Sequence, residues 1–202
     1  VVMLLAGIGA VVGRRWWLSR PPYGPDALDV QATLQRVDQA TADAALKPAS
    51  TVIAGDGDQI FLGRVSWGRP PHARKGDSFR IVVLDKRSHL MPGLIVVTSA
   101  RPDDVGTGLD DSLDIAQERY PWLEGVGTRE VDGTYWTSGS AIFVSAMDAS
   151  PVTFQTVLRP ARRETRSEHR VATAPAAVLD LLVALIGVGA DGQVYWAKRL
   201  LN

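Results

Sequence analysis

The chain has 202 residues, enough for one domain with appendages, and a fold of this size hides about 70% of the unfolded surface, so its core needs no covalent staples. Apolar residues make up 46% and charged residues 22%, which excludes wholesale disorder. Twenty-two Lys and Arg balance twenty-two Asp and Glu, unlike the basic footprint of a nucleic-acid binder, and the absence of cysteine excludes disulfides, thiolate metal sites and cysteine nucleophiles.

Residues 1–13 carry no charge and no polar side chain, and are followed by Arg14, Arg15, Trp16, Trp17, Leu18, Ser19 and Arg20. A spanning helix needs about 20 apolar residues, so thirteen alone are short. The chain opens on Val rather than Met, which leaves room for more of the run upstream. Paired indoles beside guanidinium groups suit a membrane–water boundary, because the rings sit at headgroup level while the charges reach water. We therefore expect residues 1–18 to be an apolar membrane anchor, with Arg14, Arg15, Trp16 and Trp17 at the interface. The competing reading is a buried segment or the remnant of a signal peptide. The arginines after the run favour a cytoplasmic location for that end, a preference that a basic leader would reverse. Usage of Ala, Val, Arg and Gly resembles that of high-GC bacterial chains, so the expected location is a bacterial cell membrane, with the side of the soluble part open.

Residues 19–48 read as a linker and an amphipathic helix. Pro21, Pro22, Gly24 and Pro25 interrupt regular structure. Asp26 stands where an N-cap belongs, and Val30, Leu34, Val37, Thr41 and Ala44 recur at helical spacing. Lys47 and Pro48 supply a stop, so the spacing predicts a helix over residues 26–46 that packs on its own domain or on another subunit.

Residues 49–202 read as a β-rich globular domain. Strand patterns lie at residues 59–67 and 79–84, at 94–98 after Pro92-Gly93, and at 152–158, where Val152, Phe154, Thr156 and Leu158 line one face. Asp132-Gly133 and Asp191-Gly192 each divide two strand-like runs, as in hairpins with tight two-residue turns. Residues 176–190 are apolar enough to suggest a second membrane segment, but fifteen residues containing Asp180 and followed by a hairpin signal favour a fully buried strand. A short helix is expected near residues 109–120, where Leu109, Leu113, Ala116 and Tyr120 share a face and Pro121 follows. The fold class is mainly β with one or two helices: an antiparallel sandwich-like domain of seven to nine strands behind an N-terminal anchor and an amphipathic helix.

Chemistry-bearing patterns are sparse. His72, His89 and His169 lack metal-ligand spacing, and Asp103, Asp104, Asp110, Asp111 and Asp114 do not follow a calcium-loop pattern, so no metal is expected. The glycines at 7, 9 and 13 have no preceding strand, so no phosphate-binding loop or cofactor is expected either. The string Thr137-Ser138-Gly139-Ser140-Ala141-Ile142-Phe143 resembles the nucleophile turn of trypsin-like serine proteases. That resemblance covers seven residues and implies Ser138 as nucleophile with His72 or His89 as its base. Trp136 stands where that family places a glycine.

The strongest binding pattern is residues 159–170, where Arg159, Arg162, Arg163, Arg166 and Arg170 outnumber Glu164 and Glu168 for a formal +3. A planar guanidinium fork donates two hydrogen bonds at once to a carboxylate or phosphate. The expected partners are membrane lipid and other subunits of a membrane complex, with no nucleic acid. The leading expectation is a non-catalytic anchored subunit that binds or assembles part of such a complex. Alternatives are a serine hydrolase using Ser138, or a glycan-binding or adhesion module using Trp122, Trp136 or Trp196.

Overall fold

The computed structural model describes residues 21–47, 52–85, 94–99, 105–106, 111–123, 127–131, 134–138, 141–148, 151–159 and 180–201. The expected anchor with Arg14, Arg15, Trp16 and Trp17 lies outside these residues, as do His89, Arg162, Arg163, Arg166 and Arg170. In chain order the elements are β1 (Gln31–Val37), α1 (Gln39–Leu46), β2 (Gln59–Ser66), β3 (Ser78–Asp85), β4 (Leu94–Ser99), β5 (Val105–Gly106), α2 (Asp111–Arg119), β6 (Gly127–Val131), β7 (Thr134–Ser138), β8 (Ala141–Ser145), β9 (Val152–Arg159), β10 (Leu181–Val188) and β11 (Val194–Leu201). The protein is mainly β, and every pairing is antiparallel. One sheet has the order β1-β2-β9-β4, a second β11-β10-β3-β8-β5, and β6 and β7 form a separate ribbon.

The two large sheets share a core. Phe61 and Val65 of β2 and Val152, Phe154 and Leu158 of β9 form one buried cluster with Phe79, Ile81 and Val83 of β3, Ile142 and Val144 of β8, and Leu181, Val183 and Leu185 of β10. The intervening residues of the second sheet, Val82, Leu84, Leu182, Ala184, Ile186 and Val188, form a second cluster with Leu113 and Ala116 of α2 and with Leu123. Successive strand residues point to opposite faces, so β10 is buried on both, and all eight of its residues are inaccessible. This double burial explains the unbroken apolar run that the sequence offers for a central strand. On the outer face of the first sheet α1 lies against β2 and β9, with Ala42 and Leu46 fully buried. The order of layers is thus helix, sheet, sheet, helix.

The helix expected over residues 26–46 is shorter than its pattern. A 3-10 turn spans Pro25–Leu28, and Asp29 follows with φ 45°, a left-handed conformation that an α-helix cannot contain. Residues Gln31–Val37 then pair with β2 along their whole length. Val30 and Leu34 satisfy a helical stripe, yet with Ala32 they also satisfy an alternating one, and the ladder offered by β2 decides between them. The true N-cap is Asp38, whose carboxylate accepts the Thr41 backbone N–H at 2.7 Å. The Thr41 side chain's hydrogen bond first and that backbone bond second hold the Asp38 carboxyl below its ordinary value. The expected stop near Lys47 holds.

Eleven strands among the described residues exceed the seven to nine expected, β1, the two-residue β5 and β8 being the elements without a strand signal. The second Asp-Gly pair makes a longer turn than the tight one expected. Gly192 N–H donates to Gly189 O and Gly189 N–H to Gln193 O, with Gly192 at φ 80°. This is a three-residue loop with a left-handed glycine at its bulge. If β10 is the keystone, Leu185→Ala will lower unfolding free energy by about 2–5 kcal/mol in urea titrations, while Gln35→Ala on exposed β1 will stay within about 0.5 kcal/mol.

Candidate functional site

The most constructed part of the surface is one end of the sandwich. Ser66 pairs with Gln31, and Val65 with Val152, at one end of the first sheet. Ser78 pairs with Val188 and Ser145 at one end of the second. Trp67 packs edge-on against Phe79, ring centroids 5.3 Å apart, so these two ends coincide. Residues 21–28 form a strap across them. Tyr23 and Leu28 are buried, and the Tyr23 ring meets Phe79, Tyr195 and Trp196 edge-on at 6.2–6.3 Å. The Trp196 indole N–H donates to Tyr23 O at 3.1 Å, and Gly68 N–H donates to Leu28 O. Gly187 gives Trp196 its place, since a Cβ there would sit 2.6 Å from indole Cε2. The Asp26–Lys198 ion pair at 3.1 Å adds little, because Asp26 is 95% exposed. Aromatic burial holds the strap, at about 0.5–1.5 kcal/mol per ring pair beyond area. The Pro-rich segment is therefore docked from Tyr23 onward rather than extended as a free spacer.

Beneath the strap lies a carboxylate. Asp77 is 1% exposed; it accepts the Arg74 backbone N–H at 2.8 Å and the Tyr195 hydroxyl at 3.1 Å. Burial pushes the Tyr195 phenol up to about 12, with the Asp77 charge and hydrogen bond adding to the shift. Burial raises the Tyr23 phenol still further, with Asp77 and Tyr195 contributing. The Tyr23 hydroxyl is buried without a hydrogen-bond partner. Above Asp77 the β2–β3 connection, residues 68–77, exposes Arg69, His72 and Lys75. Asp77 O also accepts Ala146 N–H at 2.9 Å, which joins this loop to the turn bearing exposed Met147.

The residues singled out in the sequence do not converge here. His72 occupies the exposed β2–β3 turn with φ 60°. Ser138 ends β7, in the separate ribbon. The Ser138 side chain and His89 lie outside the described part, so the described residues assemble no nucleophile and base. Arg159 closes β9 at its Gln59 partner end, opposite Tyr23, and Arg162, Arg163, Arg166 and Arg170 follow outside the described residues. Trp196 belongs to the core, and Trp122 is half-buried beneath the Arg199 guanidinium at 4.7 Å. Among the described residues no group of three or more His, Asp or Glu could hold a metal. Sequence reading missed the strap because its signal, Tyr23 and Leu28 among breakers, is two isolated apolar residues without period.

The two phenols should behave differently. A phenol whose folded pKa lies above its ordinary 10.0 contributes stability below that value and loses it as pH rises toward 12. Tyr195→Phe will cost about 1–3 kcal/mol at neutral pH, because Asp77 loses a buried donor, and will shallow the alkaline decline measured by denaturation between the two pKa values. Tyr23→Phe removes an unpaired hydroxyl and will be neutral or stabilising by up to about 1 kcal/mol. No family model matches this chain, and neither the curated proteins nor the solved structures contain a match.

Proposed function

We propose that this protein is a non-catalytic, membrane-anchored subunit that binds or assembles part of a larger complex in a bacterial membrane. Residues 1–18 form its anchor, and its folded head takes in the docked strap, β1 and α1 as well as residues 49–202. The observation that carries this reading is the uncharged run of residues 1–13, closed by Arg14, Arg15, Trp16 and Trp17, in a segment whose end at Leu18 stands five residues before docked Tyr23. No described helix is long and apolar enough to cross a membrane, and the described residues begin at Pro21.

The strand register supports a division of labour within the head. Arg159 and Leu181 both stand at the end away from Tyr23, about 25 Å distant along strands of eight residues. The described strand ends that flank the arginine-rich run thus stand remote from Tyr23, which favours an acidic protein partner over the anchoring bilayer as its target. Sodium carbonate extraction tests the anchor: the intact chain should stay with the membrane pellet, and its full release would overturn the proposal. In retained protein, replacing Arg162, Arg163 and Arg166 by Glu should abolish co-purification of partner subunits while leaving membrane retention unchanged.

A further inference from the structure

We infer that the Tyr23 end of the sandwich lies directly on an anionic lipid surface, with the cations of the β2–β3 loop at the phosphate headgroups. This inference rests on the anchored reading and adds an orientation to it. The anchor ends at Leu18, and five residues of chain reach at most about 18 Å. A free stalk would let the head turn in any direction. Here the leash is cut short, because Tyr23 is wedged among Phe79, Tyr195 and Trp196 and bonded through its carbonyl to the Trp196 indole. Releasing it would expose the buried Tyr23 and Leu28 side chains to water together. The point where the chain enters the head therefore selects the face that meets the bilayer.

That face has the chemistry for the task. Between Trp67 and Asp77 the loop holds Arg69, His72, Arg74 and Lys75 and no acid. Arg69, His72 and Lys75 are exposed. Asp77 does not offset them at the surface, since its carboxylate is turned inward to Tyr195 and the Arg74 backbone. Met147, 47% exposed on the turn tied to Asp77, adds an apolar tip beside the cations. Asp26 and Asp29 of the strap and Asp148 and Asp191 on neighbouring turns also stand exposed, so the attraction is local to the loop rather than a property of the whole end. At the opposite end the turn before β2 carries Asp56 and Asp58, but Arg159 stands beside it, so the short leash rather than a charge difference between the ends selects the face.

The absence of cysteine makes a direct test available. The full chain is prepared with a single introduced thiol, Pro71→Cys on the loop or Asp56→Cys at the opposite end, and each thiol is labelled with a fluorophore. The protein is reconstituted into phosphatidylcholine vesicles, with or without phosphatidylglycerol, containing a headgroup-linked quencher. The expected result is several-fold stronger quenching at position 71 than at 56. Adding Arg69→Glu and Lys75→Glu should weaken it in the anionic vesicles only. Equal quenching at both positions in vesicle-bound protein would overturn the orientation while leaving the anchor intact. Quenching indifferent to Arg69→Glu and Lys75→Glu would overturn the headgroup assignment. Failure of the chain to float with vesicles would remove the anchored reading and this inference with it.

Discussion

The architecture depends on burying β10 from both sides. A strand whose eight residues are all inaccessible needs a second sheet on one face and further cover on the other. The inter-sheet cluster supplies the first, with Val183 and Leu185 against the Phe61 and Phe154 side of the fold. Helix α2 supplies the second, with Leu113 and Ala116 against the cluster of Ala184 and Ile186. Pairing with β3 and β11 satisfies the strand's backbone groups along its length, which is the condition for withdrawing so much main chain from water. Once β10 is central, β11 is an edge of its sheet and β1 an edge of the other.

Those two edges lie side by side, and the strap closes the corner between them and the loops. It does so with few polar contacts. One indole N–H, one glycine N–H and three edge-on ring contacts fix residues 21–28, while the surface ion pair at Asp26 is too exposed to matter much. The nest also accommodates a buried carboxylate. Asp77 is tolerated because a backbone N–H and a phenol both donate to it. The consequence is felt by the neighbours, whose phenols are kept protonated far beyond neutral pH. Residues 21–28 are thereby fixed to the core rather than left as a free spacer.

The outer face of the second sheet has a different character. Arg80 lies over Phe143 at 4.2 Å, Arg119 over Tyr120 at 5.5 Å and Arg199 over Trp122 at 4.7 Å. Each stack is worth about 0.5–1 kcal/mol at an exposed site, and the Arg119 guanidinium also donates to Val194 O at 2.7 Å. The Arg199–Trp122 stack and the Arg119 bond to Val194 O pin α2 and the Pro121–Leu123 turn to the sheet, which is a sufficient role for Trp122 without a ligand.

Local chemistry alone determined much of the fold. The apolar run at 181–188 announced a strand covered on both faces, alternation placed β3 and β9, strand-like runs after turn signals placed β2 and β4, and Asp-Gly pairs marked both hairpins. The helix before Pro121 followed from spacing and its stop. These signals are legible because they arise from residues adjacent in sequence, whose periodicity matches one backbone geometry. The choice at residues 31–37 was not of that kind, since Val30 and Leu34 fit both periods and only the ladder of β2, brought from some thirty residues away, selects the strand. The strap was hidden for the same reason: Tyr23 owes its burial to Phe79, Tyr195 and Trp196, partners up to 173 residues distant. Sequence named Arg159 and Tyr23, but that they stand at opposite ends of the molecule is a matter of register, and register is set by long-range pairing that no local pattern contains.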